Sequence, residues 1–185
     1  PNGALIMAAD LIASETESLS EEIDDLGPDI LLIDTPGQME LFALRASGAY
    51  IAKEISKEPK AIIYLFDSVF SSNPVNYVSN MFLSAAVQTR FLLTQVHVLS
   101  KADLLPEADL EAVLEWSENY RALESSINER LEGTNRLLSQ RLMRVLHQLG
   151  LDIPLIPVSA KTNEGLIELN AALERIFTGG EKYTY

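Results

Sequence analysis

Four short apolar runs punctuate the chain, and between them apolar positions recur at helical spacing. The runs are Ile30-Leu31-Leu32-Ile33, Ala61–Phe66, Gln95–Leu99 and Leu155–Val158; their length and β-branched content predict buried strands. Ala4 to Asp25 reads as one amphipathic helix, with Leu5, Ala8, Ala9, Ile12, Leu19, Ile23 and Leu26 mostly at helical spacing and Gly27-Pro28 ending it. Val75 to Arg90 reads as a helix with Val75, Val78, Phe82, Ala85 and Ala86 inward. A last helix runs from about Asn163 to Phe177 on Leu166, Leu169, Leu173 and Ile176, stopped by Gly179-Gly180. Strands alternating with helices predict an α/β fold, a mostly parallel sheet flanked by helices.

Residues 106–149 stand apart from this alternation, being longer than an ordinary crossover. Pro106 opens the stretch, Gly133 breaks it and Gly150 closes it, so two or three helices are expected there, inserted before the last strand. Leu137, Leu138, Leu142, Val145, Leu146 and Leu149 form a stripe read as core, and Trp116 is read as buried rather than as a surface anchor for a partner.

Composition narrows the class. With 185 residues and 47% hydrophobic content, one domain with a sizeable core is expected. The chain has 0 cysteines, which excludes disulfides and thiolate metal sites. The apolar runs are too short to cross a bilayer and no signal-peptide pattern is seen, so a cytoplasmic protein is expected, with no membrane partner. A net charge of -13 disfavours nucleic acid and anionic membranes. It does not disfavour a nucleotide, which a few amides, one lysine and a metal can hold.

The chemistry lies where the runs end. Asp34-Thr35-Pro36-Gly37-Gln38 follows the first run. An aspartate at a sheet edge can serve a magnesium ion beside a terminal phosphate, and a glycine lets a backbone N–H approach an anion. Ser100-Lys101-Ala102-Asp103 follows another. The lysine stem can lie along one face of a flat base, while an ionised carboxylate accepts two hydrogen bonds from adjacent donors. Guanine offers that donor pair on its Watson–Crick edge and adenine does not. Ser159-Ala160-Lys161 follows the last run, where a backbone N–H can reach the guanine carbonyl oxygen.

In this order the stretches resemble the switch-two, guanine-specificity and final base-contact motifs of a P-loop-class GTPase. Pro1-Asn2-Gly3-Ala4, upstream of Asp34-Thr35-Pro36-Gly37-Gln38-Met39-Glu40, resembles the Gly-Pro-Asn loop of the GPN-loop GTPases. The match continues through Tyr64-Leu65-Phe66-Asp67, Pro74, Tyr77-Val78-Ser79 and Ser100–Leu105, covering nearly the whole chain. The resemblance implies a P-loop NTPase fold and hydrolysis of GTP to GDP and phosphate. Asp34 would hold magnesium, Gly37 would touch the γ-phosphate, and Lys101, Asp103, Ser159, Ala160 and Lys161 would hold the nucleotide. Gln38 would orient the attacking water, with Glu40 near it in no assigned role. Asn2 would act in trans, from a loop reaching the active site of the second subunit of a homodimer. Ser100 departs from the usual asparagine, and its shorter reach weakens expected affinity without touching the specificity carried by Asp103.

No G-x-x-x-x-G-K followed by serine or threonine occurs in the sequence. Residues 1–185 are therefore expected to be the C-terminal portion of a single GTPase domain, inactive alone and short of the strand beside Ile30–Ile33. A second reading is a nucleotide-dependent assembly factor with slow hydrolysis, gripping a client through residues 106–149. Relatives link the family to RNA polymerase assembly machinery. His97 and His147 lie without neighbouring ligands in sequence and are not read as a metal site.

Overall fold

The computed structural model describes residues 2–35, 37, 39–148 and 153–179. The chain forms two compact units, Pro1–Pro59 with Val87–Leu92, and Lys60–Ala86 with Leu93–Tyr185.

The second unit is built on a parallel sheet of strands β1 (Ala61–Asp67), β2 (Thr94–Ser100) and β3 (Leu155–Val158), in the order β1-β2-β3. All three lie within one residue of their predicted bounds. Side chains alternate between two faces, both covered along β2 and β3, while the edge strand β1 buries Phe66 and leaves Leu65 exposed. Val96, Val98 and Val158 face one side, against Leu169, Leu173 and Ile176. Phe66, Leu99 and Leu155 face the other, against Tyr77, Val78 and Met81. The first set of helical residues belongs to α10 (Leu166–Phe177) and the second to α6 (Pro74–Phe91). A four-residue helix, α5 (Ser68–Ser71), links β1 to α6.

In the second unit α6 turns inward a face that shares Val78, and in part Phe82, with the one its aliphatic residues suggest. Tyr77, Val78, Met81 and Ser84 are buried, whereas Ala86 is exposed and Val75, Phe82 and Ala85 are only half-buried. An i, i+3, i+4 stripe that includes a tyrosine and a serine wins, because the aromatic ring brings more apolar area than two alanines.

Three helices occupy the stretch before β3: α7 (Glu107–Glu118), α8 (Tyr120–Arg130) and α9 (Gly133–Gln148). Asn119 caps α8 by accepting the Arg121 N–H at 3.1 Å. Val113, Trp116, Leu123, Ile127 and Met143 join the core beneath β1 and β2. Trp116 is buried, and its indole N–H donates to Ser126 Oγ at 3.0 Å. The predicted α9 stripe is not core. Leu137, Leu138, Leu142 and Val145 are exposed and Met143 is the residue buried. Met143 shares the core cluster with Leu123 and Ile127 of α8, and its flexible thioether fills irregular core space where the leucines are left exposed. The Leu146 side chain and Leu149 lie outside what is described.

The first unit contains α1 (Asn2–Ser14), α2 (Thr16–Leu26), α3 (Met39–Phe42) and α4 (Ala46–Glu54). The single helix expected over Ala4–Asp25 is thus two helices, broken at Glu15. Ser14 Oγ donates to the Leu11 carbonyl at 2.7 Å and Thr16 Oγ1 to the Ile12 carbonyl at 2.9 Å. Such back-bonding competes with the helix ladder and bends it. Ala9, Thr16, Ala43, Gly48, Ile51 and Ile55 are buried here. Gly27, at φ 54°, closes α2 with its N–H on the Ile23 and Asp24 carbonyls.

Ile30–Ile33 is not a strand. The segment is irregular, with Ile30 69% and Leu32 79% exposed. Strand conformation needs a neighbouring edge to take its N–H and C=O groups, and the described sheet ends at β1.

One glycine is indispensable to the sheet's exit loop. Gly165 opens α10 at φ 77°, and a Cβ there would run into the Pro157 carbonyl. Gly165→Ala is expected to cost at least about 1–2 kcal/mol, read as a lowered midpoint in chemical denaturation.

Candidate functional site

Parallel register brings the strand exits together. Asp67 is paired with Ser100, and Ser100 with Val158, so the residues after each strand emerge side by side at the carboxyl edge of the sheet. That edge is where ligands bind in open α/β folds.

At the β1 exit, Asp67 caps α5, accepting the Phe70 N–H at 3.0 Å. Its other oxygen takes the Lys101 ammonium at 2.7 Å. The hydrogen bond from Lys101, and then that from Phe70, hold the Asp67 carboxyl below the usual carboxylate range. Lys101 has left-handed backbone geometry, φ 58°, and its carbonyl accepts a 2.7 Å bond from the buried Ser68 hydroxyl. This lysine is therefore gripped at both ends by the β1–α5 turn. Sequence reasoning gave Asp67 and Ser68 no role. The available signal was an aspartate ending a strand, the same pattern that singled out Asp34.

Ser100 hydroxyl donates across the ladder to the Phe66 carbonyl at 3.0 Å. Asp103 sits exposed on a 3-10 turn, Ala102–Leu104, set by the bond from Leu104 N–H to the Lys101 carbonyl at 3.0 Å. It lines a pocket of about 460 Å³ together with Pro157, Gly165 and Leu110. Glu107, Glu164 and Glu168 line the same pocket, so it suits a neutral group better than a phosphate. Lys101, Ser159, Ala160 and Lys161 are not among its lining residues.

Ser159 is buried and shapes the third exit. Its hydroxyl accepts the N–H groups of Lys161 at 3.2 Å and Thr162 at 3.1 Å, and its own N–H reaches the Glu164 carbonyl at 3.0 Å. Ala160 and Lys161 stand exposed on the resulting turn.

The remaining candidates lie in the first unit. Asp34 and Gly37 are exposed in non-helical backbone, and Asn2 opens α1. Gln38, and the side chains of Asn2 and Glu40, lie outside what is described. Among the described residues there is no cluster of three or more His, Cys, Asp or Glu side chains able to hold a metal. A lone exposed carboxylate such as Asp34 still fits magnesium, which keeps several waters and takes one or two carboxylates plus phosphate oxygens. No helix among the described residues is long and apolar enough to cross a membrane.

His97 belongs to the core rather than the site. Its Nε2 lies 2.8 Å from Ser84 Oγ and 2.9 Å from Gln95 Nε2, and burial pushes its pKa down to about 4. An unfolded histidine takes up a proton near pH 6.5, whereas the folded one resists until about pH 4. Stability contributed here is full above about pH 6.5 and drains away as pH falls toward 4. Urea midpoints should decline through that window, and His97→Gln should flatten the decline. His147 stacks on Tyr120, ring centroids 4.9 Å apart.

Known proteins match this chain along nearly its full length. A family model described as a conserved hypothetical ATP binding protein matches residues 1–179. A GPN-loop GTPase of Arabidopsis thaliana is 29% identical over 94% of this chain and 46% of the relative. GPN-loop GTPase 1 of Saccharomyces cerevisiae is 26% identical over 95% of this chain and 48% of its own length. The chain thus spans about half the length of these two relatives. The crystal structure of an apo-form GTPase from Pyrococcus abyssi superposes with a TM-score of 0.83 at 24% identity, covering 96% of this chain and 71% of that one. That likeness establishes the α/β, P-loop NTPase-like fold with its three parallel strands. With motifs, fold and relatives in agreement, the chain belongs to the GPN-loop GTPase family.

Proposed function

We propose that the full-length protein carrying this chain binds GTP and hydrolyses it to GDP and phosphate, with residues 60–179 supplying the base-recognition half of the site. The observation that carries this reading is the shared sheet edge, where Lys101, Asp103 and the Ser159 turn follow adjacent strands. Lys101 would cover one face of the base, Asp103 would take two donors from its Watson–Crick edge, and the Ala160 N–H would meet its carbonyl oxygen. Ser159 would act through the turn that it holds, and Lys161 would flank the base from there. Although the family description names ATP, Asp103 favours guanine: adenine lacks the donor pair that an ionised carboxylate would need.

On the phosphate side, Asp34 would hold magnesium through water and Gly37 would bring a backbone N–H to the γ-phosphate. Magnesium, when bound, would neutralise charge on the phosphate oxygens. Gln38 would position the attacking water. Asn2 would complete the site from the other subunit of a homodimer.

A second reading, a nucleotide-dependent assembly factor acting on a protein client, draws support from α9. Its exposed Leu137, Leu138, Leu142 and Val145 are the kind of apolar stripe a client helix can cover. This reading extends the first, since a client would respond to the bound nucleotide.

The test is phosphate release by the full-length protein from GTP and from ATP with magnesium, with and without a candidate client. Turnover of GTP should exceed that of ATP by more than about tenfold. Equal turnover of the two would sink the proposal.

A further inference from the structure

We propose that Asp67 is a positioning residue for base recognition, keeping the Lys101 ammonium away from Asp103 and its stem where a base can lie against it. The inference rests on the guanine-binding reading above and adds a residue which that reading leaves without a role.

The argument begins from competition between charges. Lys101 and Asp103 are two residues apart in sequence at one turn, so for an uncommitted ammonium Asp103 is the nearest carboxylate along the chain. An Asp103 paired in that way would have fewer acceptor positions for a base. Asp67 removes the competitor, because its Oδ2 takes the Lys101 ammonium at 2.7 Å. The carboxylate is itself held still by the Phe70 N–H at 3.0 Å. Its strand position opposite Ser100 fixes it next to the start of the specificity stretch.

Backbone geometry points the same way. A lysine at φ 58° is in a region that non-glycine residues seldom occupy. The buried Ser68 hydroxyl secures it by bonding the Lys101 carbonyl at 2.7 Å. Adjacent residues of one turn thus hold both ends of the same lysine. A long side chain restrained beforehand has less rotamer freedom to lose when a base arrives. The pair is partly exposed, with side chains 60% and 40% accessible, so a modest effect is expected.

The experiment is a double-mutant cycle in the full-length protein, titrating magnesium-GDP and magnesium-ADP by calorimetry into wild type, Asp67→Asn, Lys101→Met and the double variant. Asparagine still caps α5, so the fold around the turn should survive. Asp67→Asn should weaken GDP binding by roughly three- to tenfold and lower the GDP-to-ADP preference. In the Lys101→Met background the same change should do nothing, because the lysine it acts through is gone. Should Asp67→Asn fail to fold, Asp67→Ser, which also caps, takes its place with the same expected pattern. Equal losses in both backgrounds would show a general structural role and overturn the proposal, as would no loss in either. Failure of the underlying guanine-binding reading gives a different result: an Asp103→Asn protein with an unchanged GDP-to-ADP ratio.

Discussion

Alanine at Gln38 or at Asn2 in the full-length protein is expected to lower kcat by roughly 10- to 1,000-fold, the scale of losing one oriented polar group in a transition state. Nucleotide affinity should change little, because neither residue belongs to the strand exits that would grip the base. Phosphoryl transfer asks little covalent chemistry of a protein, so most of the barrier is removed by placing water and countering charge. Gln38 follows Gly37 directly in the sequence, and in the proposed site it would hold the attacking water. Asn2 stands at the start of α1, in the Pro1–Ala4 stretch proposed to act in trans. The trans arrangement makes a prediction of its own. Mixing Asn2→Ala subunits with Gln38→Ala subunits should restore turnover, because each mixed dimer regains one intact site. Steady-state phosphate release measures both effects. Unchanged kcat in the two single variants would assign the water to other groups, and no recovery on mixing would place both residues in one subunit's site.

Asp103→Asn carries the other large effect. Asparagine matches the size of aspartate but replaces one acceptor oxygen with a donor, which would face a donor on guanine. Loss of a charged hydrogen bond costs about 1.5–3 kcal/mol, so GDP affinity should fall at least about tenfold and the preference over ADP should vanish or invert. Asp103 is exposed on its turn, and its side chain carries little of the surrounding core, so stability should be nearly unchanged. Titration calorimetry beside a denaturation curve separates the two. A variant with wild-type GDP affinity would remove Asp103 from base recognition.

Much of the fold was legible in the sequence because helices cover both faces of β2 and β3. Continuous apolar runs bounded by polar residues gave β1, β2 and β3 within a residue of their ends. Their polar sequels fell at one edge because parallel strands all end there. The misses have physical causes. Ile30–Ile33 has the composition of a strand, yet pairing is a property of two segments and cannot be read from one. The break at Glu15 depends on hydroxyls of Ser14 and Thr16 turning back onto carbonyls, a choice that periodicity does not register. On α9 the leucine spacing was correct for a helix but silent on what covers it, and Met143 took the buried position. The significance of Asp67 lies in a partner just beyond the next strand, Lys101, thirty-four residues along, which no local pattern shows. The motif at Ser159 is likewise silent on how its turn is held, which the Ser159 hydroxyl does by accepting the Lys161 and Thr162 amides.

The central claim is that this sheet edge selects guanine. Its most direct test is titration of the full-length wild-type protein with GDP and with ADP under the same magnesium and salt concentrations. Tighter binding of GDP by at least about tenfold, the worth of one charged hydrogen bond, is the predicted result. Equal affinities, or a preference for ADP, would contradict it.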